Sequence, residues 1–430
     1  MPYDSFLIDP FLLFLTGLGA GWLAVRMPIV HRPRFLQGTV VLTLLVYWGT
    51  SISLYFDLEW TRWLWEMCGS ASGRDWMLNS GIFHFDFRNP GWLTHVLSAL
   101  IFATYPLYLL VGLALGTPRL KLGLELGLPR WHGRAGRQEV WYGTATDPAT
   151  GNALWLHAET VAPPSAPPYA HGWAAFFPHD GPPVLSHFGP HEHAPGPHWF
   201  ASDDSTLSAT AWQGQTPRIV WDLQQKVGAP PLLPFPRWLW EMEVLPGTMA
   251  VLDPQAQWAG HLTVDGVAIP FAGNAGLARI YGHGSAARWT WLHADLGEGA
   301  VLEVVAAVSM RPGLARLRPL AFVRLRWQGQ DWPRWPLVAA LTAFRCDPAL
   351  PQWTLTGQVG AQRLHATVTL PPERCVVVPY RDPDGRTATC TNSERADVQV
   401  EVSRRERGAW RVVKAWDLQG TGHAEVGVRP

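Results

Sequence analysis

Trp155-Leu156-His157-Ala158-Glu159 recurs, more than a hundred residues on, as Trp291-Leu292-His293-Ala294-Asp295. Successive side chains of a strand point to opposite faces, so Trp, His and the carboxylate share one face and Leu and Ala the other. Five matched positions ending in an acid, at this separation, predict two similar halves of a β structure rather than a short-period solenoid. The surrounding chain agrees. From Glu139 onward, short runs rich in Val, Trp, Tyr, Thr and Leu are broken by turn chemistry such as Asp147-Pro148, Asp180-Gly181-Pro182 and Asp382-Pro383-Asp384-Gly385. Val264-Asp265-Gly266-Val267 is the clearest two-residue hairpin. The expectation is an all-β barrel or sandwich, with halves over residues 139–246 and 247–430 and the Pro-rich stretch Ala229 to Pro236 near the join.

The N-terminal part reads differently. Phe11 to Val30, Phe35 to Phe56 and Trp92 to Leu115 are apolar runs of bilayer length, which predicts three transmembrane α-helices within residues 1–117. The leader before the first run holds Asp4 and Asp9 but no basic residue, unlike a cleavable signal. Arg26, Arg32 and Arg34 follow the first run, and Arg119, Lys121, Arg130, Arg134 and Arg137 follow the third. Positive flanks stay inside, so the expected protein is integral to a bacterial inner or plasma membrane, with its C-terminal part cytoplasmic. Residues 118–138 read as a basic juxtamembrane linker. Trp60, Trp63, Trp65 and Trp76 suit the headgroup level, and Gly17 with Gly21 forms a small-xxx-small pair open to helix packing or a helix-mediated homo-oligomer.

Composition narrows the chemistry. Net charge is zero and charged residues are 16%, so nothing suggests a nucleic-acid partner. The unusual entry is 25 Trp, whose ring faces attract cations. Cys68, Cys346, Cys375 and Cys390 have no zinc spacing, and a cytoplasmic domain keeps them as thiols. His179, His187, His191, His193 and His198 crowd a Pro-Gly stretch without H-E-x-x-H spacing, which reads as a solvated flap rather than a metal site. Walker, G-x-S-x-G and strand-linked G-x-G-x-x-G motifs are missing.

The candidate site joins the two stripes to neighbouring alternations: Tyr169, His171 and Trp173 in the first half, Tyr281, His283, Trp289 and Trp291 in the second. If these faces line a barrel, Glu159 and Asp295 are carboxyl groups in a cavity walled by indoles and imidazoles. Burial would keep one protonated at neutral pH, as a general acid needs, and indole faces would attract a carbocation. His157 and His293 would tune the acid or position water, while Trp155, Tyr169, His171, Trp173, Tyr281, His283, Trp289 and Trp291 would hold the substrate. The plainer alternative is an aromatic core ladder with each carboxylate tied to an arginine such as Arg279 or Arg288.

At Trp155 to Glu159, Tyr169-Ala170-His171-Gly172-Trp173 and Tyr281 to Asp295, the chain resembles the carotenoid 1,2-hydratase (hydroxyneurosporene synthase) and tocopherol cyclase superfamily. The resemblance runs from about Glu139 to the C-terminus. It implies two lipocalin-like β-barrel halves and cofactor-free chemistry on an isoprenoid lipid, in which an acid protonates a double bond and water or an internal hydroxyl captures the cation. The functional expectation is a membrane-anchored hydratase or cyclase. A non-catalytic lipid-binding or lipid-transfer protein and a structural envelope component are the alternatives.

Overall fold

The computed structural model describes residues 5–27, 32–55, 104, 106–113, 115–116 and 124–429, apart from 194–195, 237–238, 241–244, 246 and 311–315. The chain forms two compact units, Met1–Leu120 and Lys121–Pro430.

In the first unit, α1 (Ser5–Arg26) and α2 (Arg32–Tyr55) accompany a helical segment over 106–113. A β-carbon added to Gly17 would lie 2.2 Å from the Leu109 carbonyl oxygen, so this glycine lets two helices of the same chain touch. Among the described residues no helix is long and apolar enough to cross a membrane. The spans expected over Phe11–Val30 and Phe35–Phe56 are therefore not borne out: α1 takes in Asp9 and Arg26, and α2 opens on Arg32, Arg34 and Gln37. Most of the third expected span lies outside the described residues, as do Trp60, Trp63, Trp65, Trp76 and Cys68.

The second unit is mostly antiparallel β, as the alternation and turn signals predict. Its first sheet holds β1 (Arg137–Thr146), β2 (Ala153–Ala162), β3 (Tyr169–Phe177), β4 (Val184–Glu192) and β5 (Phe200–Ala201). It continues with β6 (Ser205–Leu207), β7 (Ala211–Gln215), β8 (Ile219–Lys226), β9 (Gly247–Val264) and β10 (Val267–Gly282). The second sheet holds β11 (Arg288–Gly297), β12 (Ala300–Val308), β13 (Leu320–Trp327), β14 (Gln330–Trp332) and β15 (Phe344–Asp347). Then come β16 (Gln352–Val359), β17 (Gln362–Thr369), β18 (Val376–Arg381), β19 (Thr387–Glu406) and β20 (Ala409–Val428).

The two sheets share one wiring. Their orders are β4-β3-β2-β1-β10-β9-β8-β7-β6-β5 and β14-β13-β12-β11-β20-β19-β17-β16-β15, with β18 pairing on β19 off the main path. In each, the first strand lies between the second and the last. The duplication expected from the repeat is thus present in the topology, yet the repeat itself is displaced: Trp155–Glu159 sits on β2, whereas Trp291–Asp295 sits on β11, the counterpart of β1. The hairpin at Asp265-Gly266 forms as expected. Both residues have positive φ (50° and 81°), the type I′ pattern that matches strand twist, and Arg218 clamps Asp265 with two hydrogen bonds of 2.8 and 2.7 Å.

The sheets change over between Gly282 and Arg288, not at Pro246, which falls between β8 and β9 of one sheet. The Pro-rich stretch ties the halves together instead. Prolines leave their carbonyls free to accept, and Pro230 and Pro231 take hydrogen bonds from Arg326 while Leu233 takes one from Arg324. The expected linker is also largely built in: a short helix, α3 (Leu124–Gly127), and the chain after it cover the first half, where Trp141 Nε1 donates to the Gly127 carbonyl at 2.7 Å.

One face of each sheet wraps its own apolar core. Leu154, Leu156, Trp212, Trp258 and Phe271 belong to the first, and Leu292, Ala294, Trp353 and Val398 to the second. The opposite faces meet each other. Val140, Tyr142, Met249 and Ala278 pack against Trp291 and Phe322, and Trp155 and Trp173 pack against Val376, Val378 and Tyr380. Each large side chain buried there contributes roughly 1.5–3 kcal/mol. This seam is where both stripes point, so the expectation that they face into a barrel is corrected: their Leu-Ala faces fill the cores.

Candidate functional site

The β2–β3 ladder builds the first cluster. Register sets His157 opposite Trp173 and Glu159 opposite His171, with Trp155 two residues back on the same face. The His157 and Trp173 rings stack at 3.7 Å, and Tyr380 of β18 closes over them at 5.7 and 5.4 Å. Glu159 is 4% exposed, with a carboxylate oxygen 3.4 Å from His157 Nε2 and 3.6 Å from His171 Nε2. Burial alone pushes its pKa up to about 8, so it holds its proton at neutral pH. Burial also lowers both imidazoles, His157 well below its ordinary range and His171 to about 4, with neighbouring histidines adding to the effect. Neutral imidazoles around a neutral acid give no ion pair to trap the proton. Tyr169 and His171 are only partly buried, so this cluster approaches the surface.

A second, deeper cluster belongs to the second half. Glu303 of β12 accepts from Trp291 Nε1 at 2.6 Å and from His293 Nδ1 at 2.9 Å. His293 stacks on His423 of β20 at 5.9 Å, and His423 Nδ1 lies 2.6 Å from Glu394 of β19. Burial lowers His293, but the hydrogen bond and charge of Glu303 outweigh it and leave the pKa raised. His423 is pulled down to about 3 by burial and by His293. Glu425 accepts from Trp289 Nε1 at 2.7 Å and from Tyr380 Oη at 3.3 Å, which joins the two clusters through Tyr380. Burial raises Glu425 and, more strongly, Glu394.

The candidates from sequence divide accordingly. Glu159, His157, His171, Trp155, Trp173, Trp289, Trp291 and His293 reach the seam, with Tyr169 at its rim. Asp295 is partly exposed and accepts from Gln255 and Asn274, each at 3.0 Å. Asn274 pairs with Thr146 and Glu159 with Val140, six residues apart along β1 or roughly 20 Å, so the two acids do not share a pocket. Tyr281 points the other way, into the first core, and His283 meets Arg137 at 2.7 Å beyond the end of β10. Among the described residues neither acid is tied to an arginine. Arg279 pairs instead with the buried Glu139 and stacks over Trp141, while Arg288 donates to the Leu317 carbonyl.

Among the described residues no group of His, Cys, Asp and Glu is arranged to hold a metal ion. Part of the His-rich stretch is strand rather than loop: His187 lies 5.9 Å from Trp173, and His191 bonds Asp204. An open cavity of about 620 Å³, lined by Arg345, Arg363, His365 and Trp410 among others, includes none of the seam acids.

The tocopherol cyclase-like family profile matches residues 237–428. Proteins from two strains of Mycobacterium tuberculosis, both described as uncharacterised, are 48% identical over 305 residues, 70% of this chain and 89% of theirs. The chain belongs to the tocopherol cyclase-like family. The family match spans Trp289, Trp291, His293, Glu303, Tyr380, Glu394, His423 and Glu425, and Glu159 lies outside it. Two solved structures are also similar to this family member. One is designated AttH, from Nitrosomonas europaea (15% identity, 67% of this chain and 92% of that one, TM-score 0.44). The other is CghA with Sch210972 (14% identity, 72% and 96%, TM-score 0.47).

Sequence reasoning missed Glu303, Glu394, Glu425, His423 and Tyr380. A signal for three of them was available: Glu303 is the lone acid in the apolar run Ala300–Val308, and His423-Ala424-Glu425 is a third His-Ala-acid alternation.

Proposed function

We propose that this protein is a membrane-associated hydratase or cyclase that protonates an isoprenoid double bond at the seam between two lipocalin-like halves. Glu159 is the proton donor. The observation that carries this is a carboxyl group whose pKa burial lifts to about 8, set among stacked imidazole, indole and phenol rings rather than beside a cation. Proton transfer from Glu159 to an alkene carbon breaks the π bond and leaves a carbocation, and the faces of Trp173, Trp155 and Tyr380 stabilise that charge. An oxygen nucleophile then closes the reaction, so neither oxidant nor reductant is required. His157 and His171 stay neutral and orient the acid.

Membrane attachment is the part of this reading that belongs to the N-terminal unit. Phe11, Leu12, Leu15, Trp22 and Leu23 of α1 and Val41, Leu42, Leu45 and Val46 of α2 are exposed, and an apolar bilayer would cover them. Arg26 and Arg34 beside these faces suit an anionic lipid surface, which in a cell is the cytoplasmic leaflet. Thiol labelling of the partly buried Cys375 in intact cells tests that side.

The chemistry is tested by incubating the full-length protein with its co-purified lipids in heavy water and reading carbon-bound deuterium by mass spectrometry. Loss of a general acid costs 10²–10⁴-fold, so Glu159→Gln is expected to incorporate deuterium at least about 100-fold more slowly. Incorporation at the wild-type rate in Glu159→Gln overturns the assignment.

A further inference from the structure

Away from the seam, the outer face of the second sheet carries a basic groove beside an apolar helix. The open cavity of about 620 Å³ is walled there by Arg345, Arg363, His365, Ser403, Trp410 and Val412 among others. Register brings them together. Arg345 of β15 stands opposite Thr356 and Thr356 opposite His365, while on the next row Arg363 stands opposite Ser403 and Ser403 opposite Val412. The Arg363 guanidinium lies 3.8 Å over the Trp410 ring, and Val412 is 56% exposed. One row further the sheet runs out into the tip of the β19–β20 hairpin, where Arg404, Arg405, Arg407 and Arg411 are exposed. Among the described residues none of these six arginines is ion-paired. They outnumber Glu401 and Glu406 on the same surface, and Glu401 already accepts from Ser403 Oγ at 3.0 Å. Asp347 and Asp417 lie on the row beyond Arg345 in the other direction, so the face turns basic toward the tip.

A seven-residue helix, α4 (Pro336–Thr342), ends at this same edge, since its C-cap Ala343 also lines the groove. Its N-cap Trp335 and then Val338 and Leu341, spaced by three, share one side and are 60%, 59% and 61% exposed. The other side is buried: Ala339 joins the second core, and Ala340 and Leu337 pack into the seam cluster that holds Phe322 and Trp291. A single exposed apolar side chain needs no explanation, but three on one helix face beside a basic groove mark a surface that something covers.

We infer that α4 and the tip of the β19–β20 hairpin form a docking surface for an anionic phospholipid membrane, in addition to the apolar helices of the N-terminal unit. Each part meets a layer of such a membrane. Trp335, Val338 and Leu341 enter the boundary between headgroups and acyl chains, and Trp410 suits the headgroup level. The arginines meet lipid phosphates, which a guanidinium binds through two parallel hydrogen bonds. Charge decides among the occupants. A nucleic acid would use the arginines but leave the apolar side of α4 in water, and a second copy of this chain docked symmetrically through this face would set like charges against like. Docking also places α4, whose inner side packs on the seam, against the apolar phase that holds isoprenoids. The inference goes beyond the reaction proposed above and does not depend on it.

The test uses full-length protein with vesicles of phosphatidylcholine, alone or mixed with phosphatidylglycerol. Amide hydrogen exchange read by mass spectrometry locates the contact: the mixed vesicles are expected to slow exchange over residues 335–343 and 404–412. Vesicle cosedimentation then measures partition. Each basic side chain at an anionic leaflet is worth about fivefold, so Arg405→Gln with Arg407→Gln should weaken binding to the mixed vesicles roughly 25-fold. Arg405→Lys with Arg407→Lys keeps the charge and should keep the binding. Val338→Ser with Leu341→Ser removes apolar contact and should weaken binding to both kinds of vesicle at least about tenfold. All these side chains are exposed, so Tm is expected to stay at the wild-type value. The N-terminal unit is the same in every variant, and differences among them report on the second unit. Binding that leaves both segments exchanging as they do in the free protein, or that is equal in the wild type and all variants, overturns the surface. Protection of residues 404–412 by single-stranded RNA and not by vesicles overturns it in favour of a nucleic acid. None of these outcomes bears on Glu159, whose role the uptake of carbon-bound deuterium decides separately.

Discussion

Glu159 ties stability to pH in a way that can be measured without a substrate. In the unfolded chain its carboxyl ionises near 4.5, whereas in the fold it keeps its proton up to about 8. Between those values folding takes up a proton, so stability is greatest below 4.5 and is lost as pH rises through 8. One proton corresponds to about 1.4 kcal/mol per pH unit, and the whole interval to about 5 kcal/mol. His171, with its folded pKa lowered to about 4, and His157 act in the opposite sense, since each gains stability as pH rises toward 6.5. Comparison with Glu159→Gln isolates the carboxyl, because the amide cannot ionise and the histidines are common to both proteins. Urea unfolding of the full chain, followed by tryptophan fluorescence at pH 5, 6, 7 and 8, should show the variant gaining on the wild type by about 1.4 kcal/mol per pH unit. A stability difference that is flat across this range means that Glu159 is already ionised in the fold, and the general-acid assignment goes with it.

Other positions yield sharper structural tests. A β-carbon on Gly276 would sit 2.5 Å from Nε2 of the buried His293 ring, whose other nitrogen is held by Glu303 at 2.9 Å. Gly276→Ala is therefore expected to cost about 1–3 kcal/mol by overpacking, read as a fall in Tm, and unchanged Tm would show that the ring moves freely. Glu139→Ala strands the buried Arg279 without its carboxylate and should cost about 3–5 kcal/mol, while the double variant Glu139→Leu with Arg279→Met, which removes both charges together, should recover much of that loss. Asp295→Asn, at a partly exposed position bonded by two side-chain amides and the Gly297 N–H, should shift stability by less than about 1 kcal/mol in the same assay.

The β class was legible because it is written locally. Alternation over Trp155–Glu159 and the Asp265-Gly266 turn follow from backbone sterics that any neighbourhood preserves. Which way a face points is not local. Leu156 and Trp155 are both apolar enough for a core, and the choice between sheet core and seam is made by the second sheet, whose arrival no residue near β2 announces. The boundary failed for a similar reason: Pro-rich chain at Ala229–Pro236 has the chemistry of a linker, but its free carbonyls are also what Arg324 and Arg326 need. Asp295 was legible as an acid on the correct face, yet its strand lies one place over from the counterpart of β2, so the matched letters do not make matched sites.

That displacement has a consequence for how the molecule could be assembled. Each ten-strand path starts and finishes at neighbouring strands, β1 beside β10 and β11 beside β20, and only residues 283–287 join one path to the next. Two copies of one ancestral unit, first associating face to face as a symmetric pair, could be fused end to end without threading anything through a core. Fusion releases the copies from having to be identical. One wall can then carry Tyr142, Thr144 and Thr146 while its counterpart carries Trp291, His293 and Asp295, an asymmetry that a homodimer can never encode.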